Sequence, residues 1–331
     1  MRKIIIAVLF SILILAINFN SAVERAGDHS NERERNYWVL IVVLLFYPGR
    51  MEEDGFQEIQ KEQESLANQL INTAKNLDSA NTKILVGKNA TTGNILNALD
   101  WIRDNAKEGD RVLIIFSGHG CEVYDIDGEK EAFATWDYVI TDDELGERLD
   151  NISSKGIDGM CVVLDFCLSG GFVEKSTPFG KVYNQVKSAK NFIDRFVYDI
   201  STPSTKDVSA KGNRVIITST IGSNIGLAGF TNCLLRALKG EGKSDRNDNG
   251  WVSAEEAFKW ARQKYLADFY LKCVEDIEDK PILLRPLFTL LMIILIILLE
   301  ICCKHLFGEF IIPIPVMSDN YPGELELVQL K

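Results

Sequence analysis

The chain has 331 residues, 46% of them hydrophobic and 25% charged, which predicts one folded domain of about 200–250 residues with appended segments. The formal net charge is −11 and Lys and Arg form no stripe, which argues against a nucleic-acid partner. Seven cysteines without a CxxC pair, together with three histidines, argue against a disulfide scaffold and against a zinc cluster.

Residues 1–22 contain a cationic pair followed by an almost unbroken apolar run over 4–17. This pattern is typical of a secretory signal peptide. Asn20 is a poor residue three positions before a cleavage site, so an uncleaved anchor stays open as the alternative. The charged residues 23–36 are predicted to form a linker.

Residues 37–271 alternate between strand and helix patterns and form the predicted folded domain. Its first half has the order β-α-β-α-β, which predicts a doubly wound α/β fold with a mainly parallel sheet and helices on both faces. The predicted elements of this half are a strand at 37–47, a helix at 52–77, a strand at 82–86, a helix capped by Thr91 or Thr92, and a strand at 111–120.

The second half of the domain begins with a polar stretch at 121–138, which is predicted to be a loop. A second polar stretch, 172–210, has no clear period and is predicted to be a long active-site loop. The other predicted elements are a helix from Thr141 to about Ile152, strands at 160–171 and 214–219, and helices at 230–238 and 253–271.

A second long apolar run lies near the C-terminus, at residues 286–303. Its length is just sufficient for one transmembrane helix, and its apolar character all the way round disfavours a buried core helix. Residues 304–331 show no pattern and are treated as a tail. A signal peptide followed by this anchor predicts a single-pass cell-membrane protein with an extracytoplasmic catalytic domain.

Two predicted strands, 111–120 and 160–171, end in small residues with one reactive side chain at the turn. These side chains are His119 and Cys167, and ligands of open α/β sheets bind at this carboxyl edge. A thiolate is the attacking form of cysteine, so a catalytic cysteine needs a neighbour that lowers its pKa. The backbone amides of Gly120 and Cys167 are candidates for an oxyanion hole.

These two motifs, SGHG at 117–120 and DFCLSG at 165–170, resemble those of caspase-like cysteine peptidases of the metacaspase/legumain superfamily (peptidase clan CD), in a form typical of prokaryotic caspase domains. The 48-residue separation of His119 and Cys167 is close to the roughly 50 residues seen in caspases. The resemblance implies a caspase-like sheet, with Cys167 as nucleophile, His119 as general base and acid, and Gly120 as an oxyanion donor. It implies no cofactor for the chemistry.

The same resemblance suggests which residues line the S1 pocket. Asp165 matches the metacaspase position that selects Arg or Lys at the cleavage site, although it could instead cap the turn by an internal hydrogen bond. Phe166 replaces the usual cysteine of the family. Arg50 follows the first strand where legumains place an arginine, and if it reaches Asp165, asparagine becomes the expected preference.

A possible calcium site lies at residues 245–256, which match the pattern D-x-[DN]-x-[DN]-G-x5-E of an EF-hand loop. The two Asn ligands predict weak binding, typical of extracellular calcium modules. An Asx-rich turn that caps a helix at Ser253 is the alternative. The predicted Ca²⁺ ligands are Asp245, Asn247, Asn249, the Trp251 carbonyl, Ser253 and Glu256.

The sequence therefore predicts a membrane-anchored cysteine endopeptidase that acts on polypeptides through a thioester acyl-enzyme. One alternative is a membrane-anchored transamidase or transpeptidase that uses the same Cys-His dyad, and another is a non-catalytic calcium-binding surface module. If the domain is extracytoplasmic, four cysteines could form up to two disulfides. They are Cys121, Cys161, Cys233 and Cys273.

Overall fold

The computed structural model describes residues 35–47, 54–125, 128–168, 213–219, 229–278 and 315–331. These residues form ten strands and five α-helices. The strands are β1 (Tyr37–Val43), β2 (Thr82–Val86), β3 (Arg111–Asp125), β4 (Gly128–Ala134), β5 (Val139–Thr141), β6 (Gly159–Leu168), β7 (Arg214–Thr218), β8 (Trp251–Ser253), β9 (Val316–Asp319) and β10 (Glu326–Gln329). The helices are α1 (Asp54–Thr73), α2 (Thr92–Asn105), α3 (Asp142–Ser153), α4 (Phe230–Leu238) and α5 (Ala254–Glu278).

The main sheet has the strand order β2-β1-β3-β6-β7-β9. The first five of these strands are parallel, and β9 adds an antiparallel edge. The chain runs from β1 outward to β2 and then returns to the other side of β1 as β3. This reversal creates a topological switch point between β1 and β3, where open α/β sheets bind their ligands.

Both faces of the sheet are covered, as the predicted doubly wound α/β fold requires. Alternate residues of β1 supply the two cores, because successive side chains of a strand point to opposite faces. Val39 and Ile41 pack in one cluster with α1, α4 and α5. Leu40 and Val42 pack in the other cluster with α2 and α3.

Two threonines begin helices as N-cap residues. Thr91 precedes α2, and its hydroxyl accepts a hydrogen bond from the backbone N–H of Asn94 at 3.2 Å. Thr141 precedes α3 and accepts in the same way from the N–H of Glu144 at 3.3 Å. Each hydroxyl satisfies one of the backbone donors that a helix start leaves without an intrahelical partner. Of the two candidates at 91 and 92, the cap is Thr91.

The predicted loop at 121–138 is wrong over most of its length. Strand β3 continues to Asp125, and β4 turns back to pair with it antiparallel, with Gly120 opposite Phe133. The two strands lie beyond the parallel body of the sheet, so polar residues can occupy them without interrupting a core. Strands β3 and β4 therefore pair in a region whose polar composition had indicated a loop.

The tail at 304–331 contains two strands that complete the domain. Strand β9 pairs with β7, and β10 pairs antiparallel with β8. Leu325, Leu327 and Val328 are buried in the same core as α1, α4 and α5. Gly159 makes room for Leu325, because a methyl group at position 159 would overlap the Leu325 side chain.

Several predictions fall outside the described residues, among them the signal or anchor at 1–22, the apolar run at 286–303 and the loop at 172–210. Among the helices that the structure describes, none combines the length and apolar character needed to cross a membrane. Cys161 and Cys233 are buried free thiols, so neither forms one of the disulfides considered from the sequence.

Candidate active site

His119 lies near the carboxyl edge of the sheet, on β3, and its side chain is buried. Its Nε2 atom is 2.9 Å from the carbonyl oxygen of Leu45, in the segment that follows β1. A carbonyl oxygen only accepts hydrogen bonds, so Nε2 carries the proton in this contact. In the neutral ring, Nδ1 is then the nitrogen that can accept a proton, which is the state a general base needs.

Two aromatic rings flank the imidazole of His119. The ring of Phe56, on α1, meets it edge-on with centroids 5.6 Å apart, and the ring of Tyr47 lies 5.8 Å away. Tyr47 is itself held, because its hydroxyl donates to the Ala134 carbonyl at 3.0 Å and its ring stacks on Trp136. These contacts restrict the orientation of the imidazole.

Gly118 allows the end of β1 to come close to β3. A Cβ atom at this position would lie 2.8 Å from the Leu44 carbonyl oxygen and 2.8 Å from the Phe133 ring, and both distances are too short for real contacts. The N–H of Leu44 donates to the Ser117 carbonyl at 2.7 Å, which extends the ladder by one bond. The first glycine of the SGHG motif is therefore a steric requirement for bringing the Leu45 carbonyl to His119.

Strand β6 places the backbone of Cys167 next to that of His119. In the parallel ladder between β3 and β6, His119 is in register with Cys167, and Gly120 with Leu168. Neighbouring strands lie about 4.7–4.9 Å apart. The structure thus brings together the two residues singled out as nucleophile and base, and Gly120 lies directly beside them.

Asp165 is buried on β6, and its carboxylate accepts three hydrogen bonds. Oδ1 accepts from the hydroxyl of Ser219, at the end of β7. Oδ2 accepts from the backbone N–H of Thr231 at 2.9 Å and from the Thr231 hydroxyl at 2.6 Å. Thr231 lies in the first turn of α4, where the helix dipole favours a negative charge. Asp165 therefore links β6 to β7 and α4. These are the internal hydrogen bonds that the sequence left open as the alternative role of Asp165, and its role in the S1 pocket stays a prediction. Arg50 lies outside the described residues.

The loop at 245–256 has the backbone geometry of a tight turn that leads into α5. Gly250 has a φ of +82°, in the left-handed region that favours glycine. Asp245 accepts from the N–H of Gly250 at 2.9 Å, and Asn249 accepts from the N–H of Trp251 at 2.8 Å. These bonds tie the side-chain oxygens of Asp245 and Asn249 to the backbone of the turn.

The last ligand position of that loop also caps helix α5. The Ser253 hydroxyl accepts from the N–H of Glu256 at 3.1 Å, and the Glu256 carboxylate accepts from the N–H of Ser253 at 3.2 Å. This reciprocal pair is a capping box. Within the described part of the chain, no group of three or more His, Cys, Asp or Glu side chains could hold a metal ion. Any calcium would therefore depend on the Asn, Ser and carbonyl oxygens in addition to Asp245 and Glu256.

Nothing in the sequence points to the Leu45 carbonyl, since every residue type carries the same backbone acceptor. Phe56 and Gln60 were likewise absent from the predicted site. Their spacing in the sequence indicates only a helix with one face packed on the sheet. The motif glycine Gly118 was a visible signal, although its steric reason needed the neighbouring strand.

Comparisons with known proteins agree with this geometry. The family model for the metacaspase, peptidase C14 domain matches residues 55–176, which include both motifs. Metacaspase-1 of Plasmodium falciparum is 29% identical over 168 residues, covering 46% of this chain and 27% of that protein. Metacaspase-1 of Eremothecium gossypii is 29% identical over 94 residues, covering 25% of this chain and 20% of that protein.

The chain thus spans about a quarter of the length of these two relatives. A solved structure of a Geobacter sulfurreducens protein superposes with a TM-score of 0.41 at 18% identity, covering 69% of this chain and 89% of that one. Both motifs lie inside the matched region and their strands are in register, so residues 55–176 match a metacaspase-type peptidase C14 domain, and the chain resembles the caspase-like cysteine peptidases.

Proposed function

We propose that the chain is a cysteine endopeptidase that cleaves polypeptides through a thioester acyl-enzyme. Cys167 is the nucleophile, and His119 is the general base and acid. The observation that carries the proposal is the register of His119 opposite Cys167 on adjacent parallel strands. The Leu45 carbonyl supports it, because it holds the proton on Nε2 and leaves Nδ1 to act as the base.

The reaction follows from these roles. His119 takes the proton of the Cys167 thiol, and the thiolate attacks the carbonyl carbon of the scissile peptide bond. The backbone amides of Gly120 and Cys167 stabilise the oxyanion that forms. His119 then gives its proton to the leaving amine, which breaks the C–N bond and leaves a thioester. A water molecule, deprotonated by His119, hydrolyses the thioester and releases the thiol.

The proposed preference is for Arg or Lys at the cleavage site, with Asp165 as the selecting carboxylate. The support for this role is the resemblance of the motif that contains Asp165, whose carboxylate is held near the carboxyl end of β6 by its bonds from Ser219 and Thr231. A peptide library varied at this position tests the assignment, and we expect Arg and Lys peptides to be cleaved fastest. A preference for Asn would instead favour the alternative in which Arg50 shares the pocket.

The same library separates hydrolysis from transfer. An acyl-enzyme can be attacked by water or by an amine, so the reaction should be run with and without an added amine nucleophile and its products identified by mass spectrometry. We expect the free acid to dominate in both cases. If the amide of the added amine were the main product, the chain would be a transamidase. If neither the free acid nor that amide formed, a non-catalytic module would be favoured.

We also propose that the loop at 245–256 binds Ca²⁺ weakly. The support is the spacing of the oxygen-bearing residues, which is that of an EF-hand loop, together with the left-handed φ of Gly250 at the sixth loop position. Such modules bind with dissociation constants of about 10⁻⁴–10⁻³ M. At a Kd of ~1 mM, 10 mM Ca²⁺ would stabilise the folded chain by about 1.4 kcal/mol.

The calcium proposal predicts a Ca²⁺-dependent rise of Tm that depends on one loop carboxylate. Asp245→Asn should abolish the rise, because it removes a charged ligand at the first loop position. Asp248→Asn is the matched control, since it makes the same charge change in the same loop at a position that is not a predicted ligand. Equal responses of the two variants in thermal unfolding with and without CaCl₂ would contradict the proposal.

Membrane attachment and an extracytoplasmic location are proposed on the basis of the sequence. The apolar runs at 1–22 and 286–303 support attachment, and the first of them is also typical of export. Fractionation of expressing cells, followed by protease treatment of intact cells, tests the location. Recovery of the chain in the soluble cytoplasmic fraction would contradict it.

A further inference from the structure

The first turns of helix α1 lie against the active-site histidine. Phe56 meets the imidazole of His119 edge-on, and Gln60 lies one helical turn later on the same helix. The Gln60 side chain reaches the segment after β1, where its Oε1 accepts from the N–H of Leu45 at 3.0 Å and from the N–H of Phe46 at 3.1 Å. One amide oxygen therefore fixes two consecutive backbone donors beside the site.

The second of these bonds is the important one. The N–H of Phe46 and the C=O of Leu45 belong to one peptide group, which is planar and rigid. Its N–H donates to Gln60 Oε1, and its C=O accepts from His119 Nε2 at 2.9 Å. Holding one end of the plane fixes the direction of the other end. Hydrogen bonds in such a chain also polarise one another, which strengthens the bond from the imidazole.

We infer that Gln60 is a positioning residue for His119, which it holds through the peptide between Leu45 and Phe46. In this arrangement Gln60 acts through the peptide group and takes no part in the chemical steps. It keeps the Leu45 carbonyl aimed at Nε2, and the carbonyl keeps the proton there, so that Nδ1 serves as the base. The catalytic consequence rests on the proposed peptidase function, whereas the effect of Gln60 on the histidine does not.

The inference can be tested with three variants of the full-length chain labelled with ¹⁵N in the histidine rings. Gln60→Met removes the acceptor and keeps the length of the side chain, and Gln60→Glu restores an acceptor. Gln57→Met is the matched control, because Gln57 lies on the same helix and is exposed. The chain has three histidines, so the ring signals can be assigned by replacing His119.

We expect the wild type, the Gln60→Glu variant and the Gln57→Met variant to show His119 protonated on Nε2. Gln60→Met should show a mixture of the two neutral tautomers. For cleaved peptides, its kcat should fall about 10- to 100-fold with little change in KM, because the base is misplaced while the peptide-binding surface is intact. A Gln60→Met variant that matches Gln57→Met in both tautomer and kcat would overturn the inference.

A second comparison does not require Gln60→Met to fold. A carboxylate at position 60 places a negative charge one peptide group from the imidazole, so Gln60→Glu should raise the pKa of His119 above its value in Gln57→Glu. Equal pKa values of His119 in the two variants would also overturn the inference. Failure of the peptidase proposal looks different: no variant would cleave peptides, yet the tautomer and pKa changes would remain.

Discussion

Replacing Cys167 with alanine is expected to lower kcat/KM for peptide cleavage by at least about 10³-fold. The substitution removes the sulfur atom that forms the proposed thioester. Steady-state cleavage of the best peptide from the library measures the effect. Undiminished cleavage by Cys167→Ala would remove Cys167 from the mechanism.

Cys233 provides the control for this experiment. It is buried on α4, and burial raises the pKa of its thiol to about 12, so it stays protonated at neutral pH. Burial also raises the pKa of the Cys161 thiol, on the same strand as Cys167, well above its usual value. A buried thiol that cannot ionise is a poor nucleophile. Cys233→Ala should therefore keep wild-type activity, and iodoacetamide labelling mapped by mass spectrometry should be found at Cys167.

Replacing Leu325 with alanine is expected to lower the free energy of unfolding by about 2–5 kcal/mol. The Leu325 side chain is fully buried and packs over Gly159 in the core shared with α1, α4 and α5. The substitution leaves its backbone bonds in place, so the loss reports side-chain packing alone. Domains are stable by only about 5–15 kcal/mol, so this would be a large fraction of the total.

Urea unfolding followed by circular dichroism measures this change. Asn320→Ala, in the same C-terminal segment, is the control, because Asn320 is exposed and its backbone N–H, which donates to the Arg214 carbonyl, is kept in the variant. It should shift the free energy of unfolding by less than about 0.5 kcal/mol. If Leu325→Ala were as mild as this control, the Leu325 side chain would not pack in this core as the structure shows.

Local signals in the sequence were sufficient for the central elements. Strand β1 follows from its own run of apolar residues, and the cap at Thr91 follows from the helix pattern directly after it. Both were predictable because the signal lies within a few residues of the element. Strands β9 and β10 were not, because their pairing partners β7 and β8 lie far back in the chain and their own residues show no simple alternation. Long-range pairing decided their structure.

The candidate site was also predictable only where the signal is local in the sequence. His119 and Cys167 stood out because each side chain follows an apolar run and adjoins small residues, and the fold places their backbones in register. What orients the imidazole could not be predicted. Every residue type has a backbone carbonyl, so the sequence cannot single out that of Leu45. Gln60 is one of several polar residues on a half-buried helix, and only the structure shows which peptide group it binds.

The C-terminal strands limit how the apolar run at 286–303 can meet a bilayer. Helix α5 ends at Glu278, and β9, which begins at Val316, is hydrogen-bonded to β7. If the chain crossed a membrane once between residues 278 and 316, β9 and β10 would lie on the opposite side of the membrane from β7 and β8. With β9 and β10 paired to β7 and β8, a single membrane crossing by residues 286–303 is therefore incompatible with the folded domain.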